Sequence, residues 1–188
     1  MPTGLLERWS KRWASVAAGW RVGAPSDNGA GGAYAGATPE VVLAAGAEEN
    51  GLAVMLGDLV RQNLEAKPKK IADFDALDGR VSIVADDADV ALTMVFASRS
   101  VGTLTIHDGI VGIPDVTIRG PADAILALSN MPLATPLGLP LPAPGDPEAM
   151  KTVRDLLQSM RAGKLHFYGM LMHLPLVMKL TRVMSVNG

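Results

Sequence analysis

Residues 163–186 read GKLHFYGMLMHLPLVMKLTRVMSV. The first part predicts a short strand, Leu165–Tyr168, that ends at Gly169, and the rest predicts a terminal helix rich in Leu, Met and Val. Within 170–186 only Lys179 and Arg182 carry a full charge. A helix that is apolar on nearly every side must be covered. The candidates are the sheet of its own domain, a partner, a membrane or a lipid.

Length and composition exclude several classes of protein. The chain has 188 residues, which suits one domain with an appendage. Its net charge of −2 gives no general attraction to nucleic acid, and none is predicted as a partner. The absence of cysteine excludes disulfides and thiolate metal sites. We find no apolar run as long as a membrane span and no signal-peptide core, so the sequence predicts a cytoplasmic protein.

The chain divides into three parts. Residues 1–22 place Trp9, Trp13 and Trp20 at helical spacing among basic residues, which predicts an amphipathic helix. This helix either docks on the domain or on another subunit, or makes transient contact with a membrane surface, where Trp is favoured. A homodimer is therefore an open alternative. Residues 23–40 form a linker rich in Gly and Ala, and 41–188 form the folded domain.

Periodicity within the domain predicts an α+β fold. An apolar stripe over 52–64 indicates a helix that ends before Pro68. Alternating apolar residues then indicate strands, which we place at 80–85, 90–97, 101–107, 116–119 and 165–168. Short polar turns between the first strands favour hairpins, so the sequence predicts a mainly antiparallel sheet of five strands layered with helices.

Several of these pieces, in this order, resemble the sterol-carrier-protein domain, the type-two fold of non-specific lipid-transfer proteins. The resemblance lies in Phe74, the first three strands, the junction DVTIRGPADAILAL at 115–128, the GKLHFYG strand and LVMKL at 176–180. It covers roughly 48–186. It implies a five-stranded sheet and helices around an apolar tunnel that takes a sterol, a fatty acid or an acyl-CoA. The leucine- and proline-rich strip at 131–147 is either a lid over such a tunnel, a surface that meets a membrane or partner, or an extended packed segment.

A lipid carrier needs an aliphatic lining more than precisely placed polar groups. The chain has 10 methionines and few aromatic residues, which suits that need. The candidate lipid-binding residues are Met94, Phe96, Leu104, Ile106, Ile118, Ile125, Leu128, Met131, Met160, Phe167, Leu174, Met178 and Leu180. Each would also serve as ordinary core, and the hypothesis is that together they leave a cavity.

The predicted function is binding, transfer or presentation of sterols, fatty acids or related lipids without catalysis. The alternatives are a non-catalytic interaction or oligomerisation module, or a small enzyme that acts on a lipid-like substrate.

Few residues favour an enzyme. His107, His166 and His173 have no carboxylate at metal-ligand spacing, and no metal or cofactor is predicted. An isomerase-like site would need a tyrosine and a carboxylate in one apolar pocket, for which Tyr168 with Asp115 is the candidate pair. The three aspartates at 86–89 predict a hairpin turn rather than a calcium loop.

Overall fold

A computed structural model describes residues 39–98, 102–129 and 160–185, together with Lys151, Arg154 and Gln158. All of them belong to one compact unit, Ala37–Gly188. The predicted tryptophan helix and the whole of the leucine- and proline-rich strip lie outside the described residues. The strands are β1 (Glu40–Leu43), β2 (Gly79–Ala85), β3 (Val90–Ser98), β4 (Gly102–Asp108), β5 (Val116–Gly120) and β6 (His166–Tyr168). The helices are α1 (Gly51–Ala66), α2 (Lys69–Asp75), α3 (Ala122–Ser129) and α4 (Leu174–Met184), with a short 3₁₀ turn at Ala47–Glu49.

The strands form one mixed sheet in the order β1-β4-β3-β2-β5-β6. The α+β class is as predicted and most pairings are antiparallel, but the expectation of five strands is wrong, because there are six strands in the described residues and the sheet is mixed. Two of the five pairings, β1 with β4 and β2 with β5, are parallel. The other three are antiparallel.

The two parallel pairings explain the error. Strand β1 is only four residues long and begins at Glu40, the last residue of the predicted linker, so its pattern is too short to identify a strand. Strand β5 does not extend the hairpin series beside β4, because residues 109–115 cross the sheet and place β5 next to β2. Such long-range pairing leaves no local signature in the sequence.

One face of the sheet is apolar across all six strands. The register aligns Leu43 with Ile106, Ile106 with Met94 and Met94 with Val81. It also aligns Val81 with Val116. Ile118, two residues after Val116 on β5, pairs with Phe167 of β6. Because side chains alternate between faces along a strand, these residues share one face. The helices cover this face.

The β1–β4–β3 half of the apolar face is closely packed by helices. A Cβ added at Gly57 of α1 would lie 3.5 Å from Ile106 Cδ1 and 3.6 Å from Leu43 Cδ2, so the helix backbone approaches these strands directly. Phe74 of α2 meets Phe96 edge to face, with the ring centroids 6.3 Å apart. This half of the sheet is therefore a packed core.

Two polar side chains hold the C-terminal end of α4 against α1 and α2. Asn63 is buried, and its Nδ2 donates to the carbonyl oxygens of Val183 and Met184, both at 3.0 Å. Lys70 is also buried, and its Nζ donates to the Ser185 carbonyl oxygen. These donors satisfy carbonyl groups that the helix end leaves without an intrahelical partner.

Burial, with the nearby charge of Lys67 as the second cause, lowers the pKa of Lys70 from 10.5 to about 8. The folded chain therefore releases this proton at lower pH than the unfolded chain, so Lys70 contributes increasing stability as the pH rises from about 8 to 10.5. We expect the free energy of unfolding of the wild type to rise relative to that of Lys70→Met as the pH increases from about 8 to 10.5. Urea unfolding at several pH values measures both free energies. Exposed Lys69→Met is the control, and a pH-independent difference for Lys70→Met would contradict the assignment.

Candidate functional site

The apolar face is incompletely covered at the β5–β6 edge of the sheet, and Leu43 at the β1 edge is half-buried as well. Ile118 of β5 is 9% exposed, and Phe167, its partner on the edge strand β6, is half-buried on the same face. Helix α3 packs against β5 and against α4, and β6 pairs with β5. Incompletely covered apolar side chains come from α3, β6 and α4. They are Leu128, Phe167, Val177 and Met178, all half-buried.

The predicted lipid-binding residues fall into two groups. Seven are buried: Met94, Phe96, Leu104, Ile106, Ile118, Ile125 and Leu180. Five are incompletely buried: Leu128, Met160, Phe167, Leu174 and Met178. Met131 lies outside the described residues. Of the buried group, Phe96 and Ile106 contact α2 and α1 as core residues.

Helix α4 has two apolar sides. Leu176, Leu180 and Val183 form its buried stripe, which follows the three- and four-residue spacing of a helix face. Leu174 and Met178 are four residues apart and lie on the opposite side, where Leu174 is 41% exposed. The helix begins at Leu174, five residues after Gly169, rather than directly after the glycine as predicted, because turns occupy 169–173.

The turn after β6 is tied to the start of β5. Asp115 Oδ2 accepts a hydrogen bond of 2.7 Å from the Arg80 backbone N–H, and Asp115 Oδ1 lies 3.9 Å from His173 Nδ1. Gly169 has a φ of 75°, and a Cβ there would overlap the Asp115 carbonyl oxygen. These contacts position the chain that enters α4.

The pairing of Tyr168 with Asp115 considered for an enzyme does not occur among the described contacts. Tyr168 is 56% exposed and stacks on His166, with the ring centroids 6.1 Å apart. Asp115 is instead engaged by Arg80 and His173. Across the part of the chain that the structure describes, no three His, Cys, Asp or Glu side chains gather as a metal site.

The connection over 109–115 is a feature that sequence reasoning missed. Thr93 Oγ1 donates to the Gly109 carbonyl oxygen at 2.8 Å, accepts from the Val111 N–H at 3.0 Å, and lies 3.0 Å from Ser82 Oγ. Ser82 and Thr93 are fully buried, although they lie on the face of the sheet opposite the helices. The connection covers these hydroxyls and presents Ile110, Val111 and Ile113 to solvent. The only indication of this connection in the sequence is a run of apolar residues that belongs to no predicted strand or helix.

The hairpin predicted at 86–89 is confirmed, and it is attached to the site. Asp86 pairs with Arg119 at 2.9 Å, and the hydrogen bond from Arg119 to Asp86 raises the pKa of Arg119. Asp87 Oδ1 accepts from the Ala122 N–H at 2.7 Å and so binds the first turn of α3. The turn therefore helps to position α3 beside β5.

No helix among the described residues has both the length and the apolar character needed to cross a lipid bilayer.

Comparison with known proteins finds structural neighbours only. No family model matches the chain, and no curated protein matches it. One solved structure, titled "UbiJ-SCP2 Ubiquinone synthesis protein", has 13% identity and a TM-score of 0.48, and the match covers 75% of this chain and 98% of that one. A solution structure from Thermus thermophilus, whose title suggests a sterol carrier protein, has 13% identity and a TM-score of 0.34, with 69% and 87% covered. Both titles agree with the resemblance indicated by the sequence, and at these identities the likeness concerns the fold alone.

Proposed function

We propose that this domain binds a lipid such as a sterol, a fatty acid or an acyl-CoA at the β5–β6 side of the sheet, and transfers or presents it without catalysis. The ligand's apolar part lies against α3, β6 and α4. The single observation that carries the proposal is the uneven covering of one continuous apolar surface.

The contrast between the two halves of the sheet supports this location. At β1, β4 and β3 the apolar face meets α1 and α2 at van der Waals distance. At the other edge, Phe167 is half-buried on the same face as Ile118; Leu43 of β1 is half-buried as well, but α1 lies against it. Exposed apolar surface of this kind is unfavourable in water unless a ligand or partner covers it.

The chemistry of these side chains suits a lipid. Burial of a methylene group is worth about 0.8 kcal/mol, so ten methylenes of an acyl chain supply about 8 kcal/mol before the costs of binding. Leu, Met and Phe side chains adapt to a flexible aliphatic chain, and methionine in particular fills irregular gaps. Orientation needs only one or two polar contacts.

We expect Met178→Gln to weaken binding of a fluorescent fatty acid about fivefold to tenfold, because it replaces a half-buried thioether with an amide of similar length. The measurement is a titration of full-length protein that has first been stripped of lipid by organic extraction. The extract itself is examined by mass spectrometry for lipid that co-purifies with the protein.

Met55→Gln is the matched control, because Met55 is also half-buried on a helix but lies on α1, which packs on the β1–β4–β3 half. It should retain the affinity of the wild type for the fluorescent fatty acid. Equal weakening by the two substitutions would contradict the location, and an extract without lipid together with no binding of the probe would contradict the function.

A further inference from the structure

The C-terminal helix α4 is firmly attached to the domain at one end only. No residue of 169–175 is buried, whereas no residue of 176–185 is exposed. Leu171 and Met172, in the turns before the helix, are 84% and 86% exposed. The burial of the chain therefore changes within the first turn of α4.

Hydrogen bonds to α2 hold the C-terminal half of the helix. Arg182 Nη1 donates to Asp73 Oδ1 at 3.0 Å. Lys179 Nζ donates to the Ala76 carbonyl oxygen, directly after α2, at 2.9 Å. The buried asparagine of α1 and the buried lysine of α2 described above bond the last carbonyl groups of the helix and of the residue after it. We call residues 179–185 the anchored half.

The preceding residues, 170–178, lack such attachments, and we call them the leading segment. In the described part of the chain, none of their side chains forms a hydrogen bond with another element, and none caps the first turn of α4. His173 Nδ1 lies 3.9 Å from Asp115 Oδ1, which is beyond hydrogen-bond distance. Leu176 is the only buried side chain of the leading segment, and it packs at Gly79, where a Cβ would lie 2.9 Å from Leu176 Cδ2.

A helical turn without a cap and with few buried contacts opens locally at low free energy, because little packing is lost when it unfolds. Both ends of the leading segment are fixed. At its start, the backbone of Gly169 lies against the Asp115 carbonyl oxygen, and at its end the anchored half is bound to α1 and α2. The leading segment can therefore open while the sheet and the rest of α4 stay in place.

The leading segment is also the part of α4 that borders the proposed lipid site. Leu174 and Met178 lie on the side of the helix opposite its buried stripe. The other two walls are attached more firmly, since β6 is paired with β5 and Asp87 binds the first turn of α3. Displacement of the leading segment would uncover the site without breaking the sheet.

We infer that the leading segment is the gate of this site, and that residues 170–178 unfold locally to admit and release lipid. This inference rests on the proposed lipid-binding function and adds to it the route by which lipid enters. The gate is closed in the protein with and without lipid, so the ease of opening sets the rates of association and release and leaves the affinity unchanged.

Hydrogen exchange of the full-length protein without lipid, resolved by residue with NMR, tests the opening. The amide groups of Val177, Met178, Val183 and Met184 all lie within α4, so they are matched in secondary structure. After correction for intrinsic rates, we expect those at 177 and 178 to exchange at least about tenfold faster than those at 183 and 184. Saturating fatty acid should slow the exchange at 177 and 178.

Substitutions on the buried stripe separate the gate from general stability. Leu176→Ala removes the buried side chain of the leading segment, and it should accelerate association and release of the fluorescent fatty acid about tenfold or more. Its affinity should stay within about twofold of the wild type. Leu176→Val should act in the same direction with a smaller effect, and is the variant used if Leu176→Ala does not fold. Val183→Ala, fully buried in the anchored half, is the control and should lower stability without changing either rate.

Equal protection of the amides in the two halves, with normal binding of the fatty acid, would overturn the gate and leave the proposed function standing. The gate is also overturned if a substitution at Leu176 accelerates exchange at 177 and 178 while the rates of lipid association and release stay those of the wild type, because lipid would then enter elsewhere. Fast exchange at 177 and 178 in a protein that binds no fatty acid would contradict the proposed function and, with it, the role of the gate.

Discussion

Gly169→Ala is expected to destabilise the domain by about 3–5 kcal/mol, because two costs coincide at this position. Gly169 has a φ of 75°, in the left-handed region where a side chain costs about 1–2 kcal/mol. The added Cβ would also overlap the carbonyl oxygen of Asp115, so β5 and the turn before α4 would have to separate. Urea unfolding of the full-length protein measures the loss.

Gly109→Ala isolates the conformational cost. Gly109 has a φ of 69°, close to that of Gly169, but a Cβ there would meet no atom within 4 Å. We expect a loss of only about 1–2 kcal/mol for this control. Equal losses for the two variants would show that the contact between Gly169 and Asp115 does not hold β6 and α4 in place. Gly169→Ala should also weaken binding of the fluorescent fatty acid, since that contact positions one wall of the proposed site.

Asn50→Ala is expected to cost about 2–4 kcal/mol, because this buried side chain joins the start of α1 to the sheet. Its Oδ1 accepts from the N–H groups of Leu52 and Ala53, and thereby caps the helix. Its Nδ2 donates to the Ala91 carbonyl oxygen at 2.9 Å and to Asp108 Oδ1 at 2.6 Å. Alanine removes the cap and leaves a partly buried acceptor without this donor. Urea unfolding again provides the measurement.

Asn50→Asp separates the two roles of the side chain. Aspartate retains an oxygen that caps α1, but it loses the Nδ2 donor and places a carboxylate against Asp108. Repulsion from Asp108 raises the pKa of the introduced carboxyl in the folded variant above its value in the unfolded chain. The variant should therefore be destabilised at about pH 7.5 and regain stability relative to the wild type as the pH falls towards about 4.5. Wild-type stability of Asn50→Asp at the higher pH would contradict the role of the Nδ2 contacts.

Local patterns in the sequence were sufficient for much of the fold. Alternation of apolar residues identified β2 to β5, and the GKLHFYG segment identified β6, because side-chain direction along a strand has a period of two. Asp86–Asp89 was recognised as a hairpin turn because short polar residues favour such turns. The apolar stripe at 52–64 identified α1 for the equivalent reason, since its period is that of a helix.

The candidate site was harder to predict from local sequence patterns than the fold. Phe96 and Phe167 have the same apolar character in the sequence, yet Phe96 contacts Phe74 in the packed half and Phe167 lies half-buried on the edge strand. The identity of an apolar residue does not show whether its side chain is buried in the fold, because burial depends on which helix lies over each strand. The roles of Asn50 and Asn63 were also missed, because a polar residue on a helix is usually exposed.

The sequence by itself determined β2 to β6, helix α1 and the apolar helix at the C-terminal end, because these depend on neighbours within a few residues. Only the tertiary structure decided that a four-residue strand, β1, joins the sheet and that β5 lies parallel to β2. It also decided that the loops at 109–114 and 169–173 meet around Asp115. These features arise from contacts between residues far apart in the chain, whose free energies depend on the packing of the whole domain and leave no periodic pattern in the sequence.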